Sequence, residues 1–142
     1  MTVRLNPYIG FEHQAREAME FYRSVFGGEL TISTFGEGGM TDDPAQADKI
    51  MHAMLVAGPD LCLMASDAPP GMPAVTGSQI SISLSGDDEA TLRGWWDRLV
   101  EGGSVSLPLE RAPWGDSFGM CVDRFGIAWM VNIAGVPAAA QQ

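Results

Sequence analysis

The chain has 142 residues, 46% hydrophobic and 18% charged, with acidic residues outnumbering basic ones 18 to 8 for a formal net charge of −10. That balance describes a globular chain able to bury a core, and its negative field repels phosphate backbones and anionic lipid, which sets aside nucleic acid and membrane surfaces as partners. No apolar run approaches the roughly 20 residues needed to span a bilayer. The opening MTVRLNPYIGFEHQ lacks a signal-peptide core, so a cytoplasmic protein is expected.

In chain order, the alternation in RLNPYIGF predicts a strand over 4–11, with Leu5, Pro7, Ile9 and Phe11 on one face and Asn6, Tyr8 and Gly10 on the other. Ala15, Ala18, Met19, Tyr22, Val25 and Phe26 recur at helical spacing, so a helix is expected over 14–26, stopped by Gly27-Gly28. ELTISTF reads as a second strand, GEGGMTDDPAQAD as a loop, and KIMHAMLVAG with DLCLMAS as a hairpin turning over Gly58-Pro59. Residues 67–77, DAPPGMPAVTG, read as a Pro/Gly linker.

Beyond the linker the same order returns. QISISLS alternates as a strand, and Asp87-Asp88-Glu89 suits a helix start. Leu92, Trp95, Trp96 and Leu99 form the stripe of that helix, and Gly102-Gly103 ends it. SVSLPLERA, SFGMCV and IAWMVNI read as three more strands, the last two joined by a turn over Asp123-Arg124-Phe125-Gly126. FYRSVFGGELTI lies over WDRLVEGGSVSL with one constant offset, and with the repeated strand–helix–strand–strand–strand order this argues for internal duplication. Module one is assigned to about 1–66, module two to about 78–134, and a short tail to 135–142. Cys62 and Cys121, far apart and outside any CxxC, read as small buried hydrophobes.

An α+β chain of two βαβββ modules resembles the vicinal oxygen chelate (VOC) superfamily of glyoxalase I, bleomycin-resistance proteins and extradiol dioxygenases. The strings PYIGFEHQAREAMEFYRSVFGGEL, KIMHAMLVAG with LCLMASD, and APWGDSFGMCVDRFGIAWMVNI are similar to its PhnB-like branch, and the resemblance covers residues 3–134. Some members of that branch carry a 3-demethylubiquinone-9 3-methyltransferase label. No Gly-rich nucleotide-binding turn follows a strand here to support it. The resemblance implies a single VOC domain whose sheets curl around a concave cavity, each with its helix on the convex side. In that register Ile80, Ile82 and Leu84 pack on the helix carrying Trp95 and Trp96. Leu61, Leu63, Trp129, Val131 and Ile133 also take the helix side. The implied pocket comprises Asn6, Tyr8, His52, Cys62, Met64, Gln79, Ser81, Ser83, Trp114, Met120, Met130 and Asn132. Neutral hydrogen-bonding groups among methionines suit an uncharged or modestly polar organic ligand.

Relatives that perform chemistry hold a divalent metal on these faces. Carried across, the ligand positions fall at Asn6, Cys62, Gln79 and Met130, and only Gln79 is of a recognised ligand type. Two amides, a thioether and a thiol offer too little charge for Mg²⁺ or Mn²⁺ and too few soft nitrogens for Zn²⁺. The expectation is therefore no metal cofactor and a small-molecule-binding protein, as in bleomycin-type resistance proteins. The alternative is a metal-dependent lyase or dioxygenase of glyoxalase type. Asp116, in APWGDSFG, is a candidate general base, set against a role as a turn residue bonding its own backbone. A homodimer is expected from the resemblance, with Trp114 as a rim or interface aromatic.

Overall fold

The structure is a computed structural model that describes residues 5–39, 43–69 and 79–135. Two compact units divide the chain at 77/78, and each holds one four-stranded sheet and one long helix.

In the first unit, β1 (Tyr8–Phe11) leads into α1 (Ala15–Phe26) and β2 (Glu29–Thr34). A single helical turn, α2 (Pro44–Ala47), precedes β3 (Ile50–Val56) and β4 (Cys62–Asp67). The sheet order is β1-β4-β3-β2, with β1 parallel to β4 and the other neighbours antiparallel. The apolar stripe of α1 is engaged through Ala15, Ala18, Met19, Tyr22 and Val25, all buried, with Phe26 at its end half-buried. Beneath it lie Ile9, Phe11, Ala53, Leu55, Leu63 and Ala65, the alternate residues of three strands.

The second unit repeats the plan with β5 (Ile82–Gly86), α3 (Glu89–Leu99), β6 (Ser104–Arg111), β7 (Ser117–Val122) and β8 (Ala128–Ile133). Its order is β5-β8-β7-β6, with β5 parallel to β8. Leu92, Trp96 and Leu99 of α3 are buried with Cys121, Trp129, Val131 and Ile133. Gly119 makes this packing possible. A Cβ there would lie 2.9 Å from the Trp96 ring edge and 2.8 Å from the Leu109 Cα, so the indole and the β6 backbone close over a position without a side chain.

The duplication inferred from the two Gly-Gly pairs is built into the backbone. Gly27 and Gly102 hold φ of +74° and +76°, a left-handed conformation that costs glycine nothing. A Cβ on either following glycine would collide with a carbonyl oxygen, that of Val56 at Gly28 and that of Val122 at Gly103. Each helix therefore exits tightly against the end of its own unit's third strand. The α+β architecture of tandem βαβββ modules expected from the sequence is the one observed.

Where the units differ is in how they start their helices. Asp88 caps α3 locally, its carboxylate accepting from the Thr91 N–H at 3.2 Å and the Thr91 hydroxyl at 2.8 Å. The residue before α1 is Gln14, whose side chain makes no cap. Asp67, at the far end of β4 and 2% exposed, supplies it from a distance. Its Oδ1 accepts from the Ala15 N–H at 2.9 Å and its Oδ2 from the Ile50 N–H at 2.8 Å. One carboxylate thereby ties helix start, β3 and β4 together.

Four boundaries depart from the sequence reading. The first strand begins at Tyr8, not Arg4 (which lies outside the described residues), and Leu5 is 95% exposed and absent from the apolar face. The strand read from Gln79 begins at Ile82, and Ile80 is 76% exposed instead of packed on α3. Both errors have one cause: the alternation runs on past the point where a neighbouring strand is available, since β8 starts at Ala128 and Ile82 pairs with Trp129. Asp67 belongs to β4 and not to the linker, whose residues 70–77 lie outside the described set. The loop read over 36–48 contains α2, capped by Asp43 with Pro44 in its first turn.

Candidate functional site

Each sheet has one face under its helix and one face turned away from it. On the first sheet the helix-free face carries a row across the strands: Tyr8 pairs with Met64, Met64 with Met54, and Met54 with Thr31. On the second sheet the corresponding row is Ser83, Met130, Met120 and Leu107. Both central methionine pairs sit on adjoining antiparallel strands and are half-buried. The rows are equivalent by strand and by position, so the duplication extends to this face.

A second row lies alongside each. In the first unit it includes His52 and Ser66, and the Tyr8 hydroxyl stands 3.4 Å from His52 Nδ1 with the rings 5.8 Å apart. In the second unit it runs Ser85, Asn132, Phe118. Trp114, 61% exposed in the β6–β7 turn, packs its ring 6.0 Å from that of Phe118. Of the residues singled out from sequence, Tyr8, His52, Cys62 and Met64 therefore share the first face. Ser83, Met120, Met130 and Asn132 share the second, with Trp114 beside Phe118.

Three do not join a strand: Asn6 precedes β1, while Gln79 and Ser81 precede β5, Gln79 exposed and Ser81 half-buried. Cys62 is half-exposed and so departs from the buried reading, whereas Cys121 is buried, and both are free thiols. Burial, and then the nearby Asp123 charge, push the Cys121 thiol up to about 11. Met54, Ser66 and Phe118 were missed. A signal for Met54 existed, because nine residues separate Met54 from Met64 and nine separate Met120 from Met130.

Asp116 does not have the setting of a general base. Its Oδ2 accepts from the Asn132 amide at 3.0 Å and its Oδ1 from the Gly135 N–H at 2.9 Å. The bond from Asn132, then that from Gly135, hold its carboxyl below the usual carboxylate range. The Asp116 main-chain carbonyl accepts from the Ala112 N–H at 2.6 Å, closing the turn through the backbone. Its side chain, though, latches the turn to the end of β8. Asp123, buried between β7 and β8, is likewise structural: it accepts from the N–H groups of Phe125 and Ile127 and from the Trp129 indole.

The family model for the Glyoxalase/Bleomycin resistance protein/Dioxygenase superfamily matches residues 5–131. The chain belongs to this superfamily. Among its relatives, protein PA1353 from Pseudomonas aeruginosa is 42% identical, with 94% of this chain and 98% of that one covered at a TM-score of 0.78. Protein YjdN from Escherichia coli K12 is 29% identical over 91% of this chain and 94% of its own length. The PhnB protein from Bacillus cereus, 23% identical over 93% of this chain and 100% of that one, shares the fold at a TM-score of 0.74. The resemblance to the VOC superfamily thus holds.

The divalent metal of reactive superfamily members is a poor match for what stands at the carried-over positions. Met130 has Ser83 as its β5 partner, and Gln79 lies four residues earlier, outside the strand. An amide at Asn6, a thiol at Cys62, an amide at Gln79 and a thioether at Met130 do not fit a hard divalent cation. Among the described residues, no three His, Cys, Asp or Glu side chains gather into a group that could hold a metal ion. No described helix is long and apolar enough to cross a membrane.

Proposed function

We propose that the chain binds a small, uncharged organic molecule on the helix-free faces of its sheets, without a catalytic divalent metal. The observation that carries this reading is the repeated row, Tyr8–Met64–Met54 and Ser83–Met130–Met120. Half-buried thioethers are adaptable apolar surface that favours contact with aromatic or alkyl groups. Hydroxyl and amide groups set beside them, from Tyr8, Ser83 and Asn132, provide the few oriented polar contacts that fix a ligand. A net charge of −10 disfavours an anionic ligand and argues against nucleic acid and anionic membrane as partners.

The same reading takes the protein as cytoplasmic and homodimeric. The outer strand β6, with exposed Val105 and Leu107, and the exposed Trp114 support pairing with a second copy.

The test is untargeted mass spectrometry of molecules co-purifying with the full chain, followed by retention measurements on Ser83→Phe. Ser83 is exposed at the head of the methionine row of the second sheet, so a ring there blocks the methionine pair without entering a packed core. Loss of the co-purified molecule at unchanged melting temperature supports the proposal. Unchanged retention contradicts it.

A further inference from the structure

The duplicated rows allow the two methionine pairs to be compared position by position, and their neighbours differ. Two residues before Met120 stands Phe118, and two before Met130 stands Ala128. In the first unit those positions hold His52 before Met54 and Cys62 before Met64. The second face therefore surrounds its thioethers with an aromatic ring and a methyl group. The first surrounds them with metal-ligating groups.

Met54 and Met64 are direct partners on antiparallel strands, which places their Cβ atoms about 4.5–5.5 Å apart on one face. Each has three freely turning bonds, enough to bring both sulfurs to a common point above the sheet. His52 lies on the same face one pleat along β3, with the Tyr8 hydroxyl 3.4 Å from its Nδ1. With its proton on Nδ1, the imidazole donates to the Tyr8 oxygen and presents Nε2 as a lone-pair donor, the arrangement by which ligating histidines are oriented. Two neutral thioethers and one neutral imidazole are unsuited to Mg²⁺ or Ca²⁺. They match a soft monovalent d¹⁰ cation.

We infer that His52, Met54 and Met64 form a binding site for a soft monovalent cation, Cu(I) or Ag(I). The site lies within the first unit, shares no residue with the four carried-over divalent positions, and does not depend on the organic-ligand reading. The protein's acidic field favours accumulation of a cation.

Silver(I) is the redox-inert probe, added to the full reduced chain and followed by native mass spectrometry with a competing chelator. The parent binds one equivalent that survives Cys62→Ser, the substitution that removes the accessible competing thiol. Met54→Leu/Met64→Leu and His52→Gln each weaken binding by at least about ten-fold, whereas Met120→Leu/Met130→Leu leaves it unchanged and Cys62→Ser retains it. Met-to-Leu exchange conserves volume and keeps the fold, and thermal melts verify this. Should a Leu pair unfold, His52→Gln on the half-buried face decides by the same criterion. The inference is overturned if the parent binds no silver, if both Leu pairs weaken binding alike, or if Cys62→Ser alone abolishes it while the His52 and Met54/Met64 variants bind normally.

Discussion

Removing the Asp67 carboxylate should unfasten the first unit at a single point. Asp67 is 2% exposed and its two oxygens satisfy two backbone N–H groups, of Ala15 at 2.9 Å and of Ile50 at 2.8 Å. Asp67→Ala leaves both donors buried without an acceptor, each costing about 1–3 kcal/mol. The sum is about 2–6 kcal/mol, a large share of the stability of an ordinary domain. Asp67→Asn keeps one acceptor oxygen and should lose about half as much. Urea denaturation followed by circular dichroism measures both variants. If Asp67→Ala falls within about 1 kcal/mol of the parent, the carboxylate is not the trans cap of α1 and the account of that helix start is wrong.

Trp96→Ala should cost about 3–5 kcal/mol in the same assay because the indole is buried over Gly119, and Trp95→Ala should cost clearly less because Trp95 is only half-buried. Gly119→Ala should destabilise as well, since its Cβ meets the Leu109 backbone at 2.8 Å, and a melt equal to the parent would refute the close packing of β6. The carboxyl of Asp116 is held low by Asn132 and Gly135, so its stabilising effect is present above the ordinary carboxylate range and is lost as pH falls through its lowered value. The stability gap between the parent and Asp116→Asn should therefore shrink from neutral to strongly acidic pH, and a gap that widens on acidification would contradict this. Iodoacetamide at mildly alkaline pH should modify Cys62 and spare Cys121, whose thiol is buried and pushed up to about 11, until denaturant is added; peptide mass mapping reads the order.

Much of the architecture was legible because side-chain periodicity answers directly to burial. The stripe Ala15–Val25 and the pair of Gly-Gly stops declared two equivalent helices, and both form, although Phe26 and Trp95 from the two stripes are only half-buried. Periodicity does not say where a strand loses its neighbour, so the alternation carries Leu5 and Ile80 to faces they do not reach. Asp67 was hidden for a related reason: its partners Ala15 and Ile50 are distant in sequence, and an aspartate before a Pro/Gly run reads as the start of a turn. On the site side, Met64, Met120 and Met130 follow from strand alternation combined with the concave face that the family resemblance implies. Met54 does not, because Met51 interrupts the β3 alternation where the register shifts against β2. The metal positions carried over from the resemblance do not line up on the sheet, since Gln79 falls before β5 and the β5 partner of Met130 is Ser83.

Contact of an organic ligand with the two methionine rows, as proposed, would be felt first at the methionine methyl groups. Selective ¹³C-methyl labelling of methionine lets each row be watched directly by NMR during titration with the co-purified organic molecule or a neutral aromatic library hit. The methyl resonances of Met54 and Met64, or those of Met120 and Met130, should shift saturably, while that of Met19, buried on α1, stays in place. Binding that leaves all four unmoved would contradict the proposed contact.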